Sequence, residues 1–194
     1  MEQQLNVTGT LSAYIAGEEA ARLPEPVVEK AKIHILDTIG AIISGSLLKP
    51  GRLMIEFVRT QRGPEEATVS ASDFRSSVVM AALANGTMAH ADETDDAHFP
   101  TVSHPGSVAV SAALPVAERE HRSGKDLITG VVLGYDVMCR ASKALDREWM
   151  HDRGLHAGSM GGNFAAAAVA SRLLSLHPEQ IRYALALAGS QASD

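Results

Sequence analysis

The chain has 194 residues, enough for one domain with a substantial core, and a composition of 45% hydrophobic and 21% charged residues excludes intrinsic disorder. A net charge of −6 gives no basic field for nucleic acid, and the apolar runs are broken by Gly, Ser or charge before they reach membrane-spanning length. The start, Met1-Glu2-Gln3-Gln4, does not resemble a secretory signal, so the expected setting is the cytoplasm, with neither membrane nor nucleic acid as partner. Aromatic residues are only 4%, so the apolar content is largely Ala, Leu, Val and Ile, which suits closely packed helices. The single cysteine, Cys139, can build neither a disulfide framework nor a multi-cysteine metal site and is expected to be a small core residue.

In chain order, Thr8 to Arg22 places Leu11, Tyr14, Ile15 and Ala16 on one face and Glu18 and Glu19 on another, as in an amphipathic helix. Pro24 and Pro26 start a longer helix through Ile33, Ile35, Leu36, Ile39, Ile42 and Ile43; apolar around much of its circumference, it is expected at the centre of the core. Gly45 and Pro50 end it and open a helix carrying Leu53, Ile55, Phe57 and Val58. Ala67-Thr68-Val69-Ser70 is the only strand-like stretch, short and isolated. Ser76 is expected to begin the next helix, which runs towards Met88, and the polar, histidine-bearing stretch from His90 to Pro105 is expected to be a loop. Helices resume from about Gly106 to Glu120. Ser123 and Asp126 form a capping signal for a long helix to about Leu145. A charged loop over 146–155 then precedes an Ala-rich helix, Gly158 to Leu174, and a last one, Pro178 to Ser190. The prediction is one all-α domain over 1–194, a packed helical array with little or no sheet.

Three segments carry groups capable of chemistry. Asp92, Glu93, Asp95 and Asp96 lie within five positions between His90 and His98. Like charges held together raise one another's pKa, which is one way to keep a carboxyl group useful near neutral pH; the alternative is a solvated acidic loop. His104 stands just before a Pro-Gly helix start, where unpaired N–H groups are available to a carboxylate, although it could simply cap the helix. His156 likewise precedes a start rich in glycine, where Gly158, Gly161 and Gly162 would admit a ligand or another helix.

Five blocks in sequence order resemble the MmgE/PrpD family, which includes 2-methylcitrate dehydratase, cis-aconitate decarboxylase and iminodisuccinate epimerase. They are Asn85-Gly86 leading to His90-Ala91 and Asp95-Asp96; His104-Pro105-Gly106; Ser123-Gly124-Lys125 leading to Gly134-Tyr135; Gly154-Leu155-His156; and the Ala-Gly-Ser-Gln-Ala-Ser run from Ala188 to Ser193. The resemblance covers nearly the whole chain from Leu5 onward. It implies the helical domain of a homodimeric enzyme that acts without metal or organic cofactor. It also implies a smaller α+β lid domain, absent from this chain, so the helical domain is expected to be incomplete relative to the family. Asp194 stands where a glycine is usual.

Carried over by alignment, the family's acidic catalytic position falls on Glu93, its proton-transferring histidine on His104 and a second active-site histidine on His156. Asp95, Asp96, Ser103 and Ser159 are the accompanying candidates for substrate binding. The implied chemistry is proton transfer next to a carboxylate of a small di- or tricarboxylic acid, as in dehydration of 2-methylcitrate, decarboxylation of cis-aconitate or epimerisation of iminodisuccinate. The chain departs from the decarboxylase pattern at Ala97, where a threonine is usual, and in a loop from Asp96 to His104 one residue longer. Two other classes remain open. A metal-dependent helical hydrolase would draw on His90, Asp95, Asp96, His98 and the pair His151-Asp152. An inactive helical dimerisation module is the non-enzymatic alternative.

Overall fold

The computed structural model describes residues 6–17, 22–61, 63–145 and 147–192. Among them are nine α-helices and one two-stranded sheet: α1 (Val7–Gly17), α2 (Glu25–Ser46), α3 (Lys49–Thr60), β1 (Ala67–Thr68), β2 (Arg75–Ser76), α4 (Val78–Ala89), α5 (Pro105–Arg119), α6 (Gly124–Ala144), α7 (Arg147–Asp152), α8 (Ala157–Leu173) and α9 (Pro178–Gln191). The fold is all-α. Glu18, Glu19, Ser193 and Asp194 lie outside the described residues.

Small side chains set how closely the helices pack. The central cluster joins Ile35 of α2, Ala109, Val110, Ala113 and Val116 of α5, Val131 of α6, and Val169 and Leu173 of α8. The most extensive helix contact is between α6 and α8. There a Cβ on Gly161 would lie 3.0 Å from the carbonyl oxygen of Met138, so the glycine admits a neighbouring helix. A second cluster gathers Ile42, Val58, Val69, Ala81, Ala84 and Met88 from α2, α3, the β1 segment and α4. A third joins Ile15 of α1 to Val137, Ala168, Ile181 and Leu185.

The capping signal holds: the Ser123 hydroxyl accepts from the Asp126 N–H at 3.3 Å, and the Asp126 carboxylate accepts from the Ser123 N–H at 3.0 Å. Four expectations change. Helix α2 is not enclosed by the core. It buries Ala31, Ile35, Thr38, Ala41 and Ile42 on one face, while Ile33, Leu36 and Ile43 are more than half exposed on the other. The strand-like stretch is not isolated, because Ala67 pairs antiparallel with Ser76 and Thr68 with Arg75. Ser76 therefore belongs to β2, and Ser77 caps α4. The segment expected to be a charged loop after α6 contains the single turn and a half of α7. No single helix among the described residues is long and apolar enough to cross a membrane.

Candidate active site

The loop between α4 and α5 folds back on itself. The His98 N–H donates to the carbonyl of Ser103 at 2.8 Å, and the Thr101 hydroxyl lies 2.7 Å from both His98 Nδ1 and Ser103 Oγ. Glu93 and Val102 bend the chain in the left-handed region, with φ of 54° and 48°. Ser103, expected at the substrate, is buried with its hydroxyl turned to Thr101.

The acidic run does not behave as one charge cluster, because each carboxylate has its own surroundings. Asp92 accepts from the hydroxyls of Ser44 and Thr94, which hold its pKa below the usual carboxylate value, opposite to the like-charge expectation. Asp96 accepts from the Gly106 N–H at 2.8 Å and the Tyr135 hydroxyl at 2.7 Å, with His34 Nδ1 at 2.9 Å. It thereby caps α5 from a distance and ties it to α2 and α6. Gly106 has to be glycine here, since a Cβ would meet the Thr38 hydroxyl, the Asp96 carboxylate and the Tyr135 hydroxyl at 2.5–2.8 Å. Burial, reinforced by the Asp96 charge, pushes the Tyr135 pKa far upward, so its hydroxyl stays protonated and donates. Asp96, a candidate for the substrate, has both oxygens taken by the fold.

Because Asp96 caps α5, His104 is freed from that duty: it stands at the N-cap position without a side-chain capping bond. Its Nδ1 lies 3.3 Å from Oδ1 of Asp95, and Nδ1 of His90 lies 3.5 Å from the same oxygen. The Asp95 side chain is wholly enclosed, His104 is 25% exposed and His90 is 45% exposed. The two imidazole centroids are 5.0 Å apart. Within this group the His104–Asp95 contact has the distance of an ion pair without hydrogen-bond alignment, and His104 Nδ1 and Asp95 Oδ2 are both buried without a partner. The exposed quarter of the His104 ring thus excludes Nδ1. A buried carboxylate facing Nδ1 favours the proton on that nitrogen, which leaves Nε2 as the acceptor, the form of a general base.

His156 is held in the opposite way. Its Nδ1 accepts from the Ser159 N–H at 3.2 Å and caps α8, so in the neutral ring the proton sits on Nε2. The Ser159 hydroxyl donates to the carbonyl of His156 at 2.9 Å. A Cβ on Gly158 would lie 2.6 Å from the His156 ring and 3.5 Å from the Ser103 Cβ, which places this helix start beside the residue preceding His104. His156 and Ser159 are therefore neighbours of the Ser103–His104 corner.

Glu93 is not joined to this group; it is exposed, and no hydrogen bond or ion pair ties its carboxylate to His104. His151 and Asp152 are exposed and 4.0 Å apart, and they share no third ligand with the loop. Two hollows open away from His104: one of about 350 Å³ between α2 and α6, lined in part by the His34 and Tyr135 that hold Asp96, and one of about 290 Å³ beside β1 and α5. His34, Thr38 and Tyr135, which with Asp96 fix the start of α5, were not singled out from the sequence as site residues. The only available signal was the Gly134-Tyr135 pair.

Residues 9–194 match the model of the MmgE/PrpD N-terminal domain. The chain is 30% identical to the cis-aconitate decarboxylase-like protein oryM of Aspergillus oryzae, over 96% of this chain and 40% of that protein. It is 28% identical to cis-aconitate decarboxylase of Homo sapiens, over 96% of this chain and 40% of that protein. The corresponding figure for the Aspergillus terreus enzyme is 26%, over 96% and 39%. The chain thus spans about 40% of the length of the curated relatives it matches.

Proposed function

The chain belongs to the MmgE/PrpD family, and on that premise we propose that it carries the proton-transfer groups of a cofactor-independent lyase for small di- or tricarboxylic acids. The observation that supports this most is the His104–Asp95 pair at the start of α5, a partly exposed imidazole backed by an enclosed carboxylate. In this reading Nε2 of His104 takes or returns the proton next to a substrate carboxylate, and Asp95 stabilises the imidazolium formed. His156, protonated on Nε2, donates to a substrate carboxylate together with the start of α8. Glu93 partners His104 once substrate is in place. A homodimer in the cytoplasm belongs to the same proposal.

Cis-aconitate is the first substrate to try, because two of these relatives are named cis-aconitate decarboxylase and a third cis-aconitate decarboxylase-like. Dehydration of 2-methylcitrate is the second reading, favoured by Ala97, which offers no hydroxyl where the decarboxylase pattern has a threonine. Epimerisation of iminodisuccinate would use the same proton abstraction.

NMR of the protein with each acid in D₂O tests this directly. Conversion or deuterium uptake is expected with one of the three, and His104→Ala should lower the rate by at least about 10²-fold. Undiminished turnover in that variant removes His104 from the mechanism. The absence of both turnover and thermal stabilisation with all three acids would sink the proposal.

A further inference from the structure

Proton transfer through His104 leaves one feature of the group unaccounted for. The Asp95 side chain is entirely enclosed, yet Oδ2 has no partner, and neither has the buried Nδ1 of His104. A buried imidazole nitrogen without a hydrogen bond, facing an enclosed and only half-partnered carboxylate, costs free energy unless something else joins the two side chains.

The spacing indicates what would. Oδ1 of Asp95 lies 3.3 Å from His104 Nδ1 and 3.5 Å from His90 Nδ1, long for hydrogen bonds and, at His104, misaligned. Nitrogen and oxygen ligands at about 2.0–2.2 Å from a tetrahedral ion stand roughly 3.3–3.5 Å from one another. One ligand atom from each of His90, Asp95 and His104 lies within 4.8 Å of the others. We propose that these three residues form a binding site for one divalent transition-metal ion, with Zn²⁺ the best fit. Two imidazole nitrogens and one carboxylate oxygen suit zinc, leave a fourth position open, and are poor company for Mg²⁺ or Ca²⁺, which prefer oxygen. The half-exposed His90 provides the way in.

The neighbouring candidates do not compete. Asp92 is taken by Ser44 and Thr94, Asp96 by Gly106, Tyr135 and His34, and His98 faces Thr101. An ion bound through Nδ1 takes the place of the proton on that atom of His104, so metal and proton transfer are alternative occupants of one group, and the loaded form is the inhibited one. The site rests on the geometry of three side chains and stands or falls apart from the substrate assignment.

The test is titration of the metal-free protein with Co²⁺, followed by displacement with Zn²⁺. One equivalent per chain should give the visible absorption bands of low-symmetry, four-coordinate cobalt, with proton release on binding. His90→Ala, at a half-exposed position that leaves folding intact by circular dichroism, should weaken binding by at least about tenfold. Asp95→Asn should do the same, and His151→Ala should change nothing. Binding that is absent, non-stoichiometric, or unchanged in His90→Ala overturns the proposal.

Discussion

Helices α5 and α8 both begin at a histidine, and the two rings are held in opposite senses. At α8 the ring itself is the cap: Nδ1 of His156 accepts the Ser159 N–H, which puts the proton on Nε2. At α5 the cap is delegated to Asp96, ten residues earlier, and Nδ1 of His104 turns to Asp95 instead. One start thus presents a donor and the other an acceptor. The same residue type before the same kind of helix has its proton placed on opposite ring nitrogens according to which structural duty its neighbours have taken over.

The contrast breaks most severely at Asp96. Asp96→Ala strands the Tyr135 hydroxyl and the Gly106 N–H and should cost about 3 kcal/mol. Chemical denaturation measures this, and a loss under half that size would mean that water replaces the carboxylate. His156 gives a smaller effect: His156→Ala should lose about 1 kcal/mol of cap, and His156→Asn should recover most of it, since asparagine caps well. If His156 also binds substrate, the asparagine variant keeps its stability and raises KM more than it lowers kcat. A drop in kcat matching that of His104→Ala would erase the distinction between the two rings. The smallest effect comes from the start of α6, where the cap has no chemical role. Asp126 has a pKa lowered chiefly by the Ser123 hydroxyl. Its contribution is therefore complete above the carboxylate's unfolded pKa and fades as pH falls through the lower folded value. Thermal melts of wild type and Asp126→Asn should differ at neutral pH and converge in acid.

How much of this was legible in the sequence follows from the distance over which each cause acts. The cap of α6 needs only Ser123 and Asp126, three residues apart, and it is there as expected. The long helices announce themselves by periodicity. β2 does not, because two polar residues, Arg75 and Ser76, carry no alternation of their own and become a strand only against Ala67 and Thr68. The exposed side of α2 shows the limit of reading burial from composition: Ile33 and Ile35 are equally apolar, but only Ile35 meets the α5 cluster. In the site, the run of four carboxylates was visible, but not its division of labour. Asp95 and Asp96 are adjacent and chemically identical. What separates them is Tyr135, 39 residues further on, and the N–H of Gly106, neither of which local spacing reveals.

The backbone at Glu93 has a practical consequence. A glutamate with φ of 54° sits in a conformation that costs an L-residue roughly 1 kcal/mol and glycine nothing. Replacing it with alanine changes the carboxylate while the strain persists. Glu93→Gly removes the carboxylate and relieves the strain at once, so a variant that melts higher yet turns over more slowly would separate the chemical contribution of this residue from its architectural one.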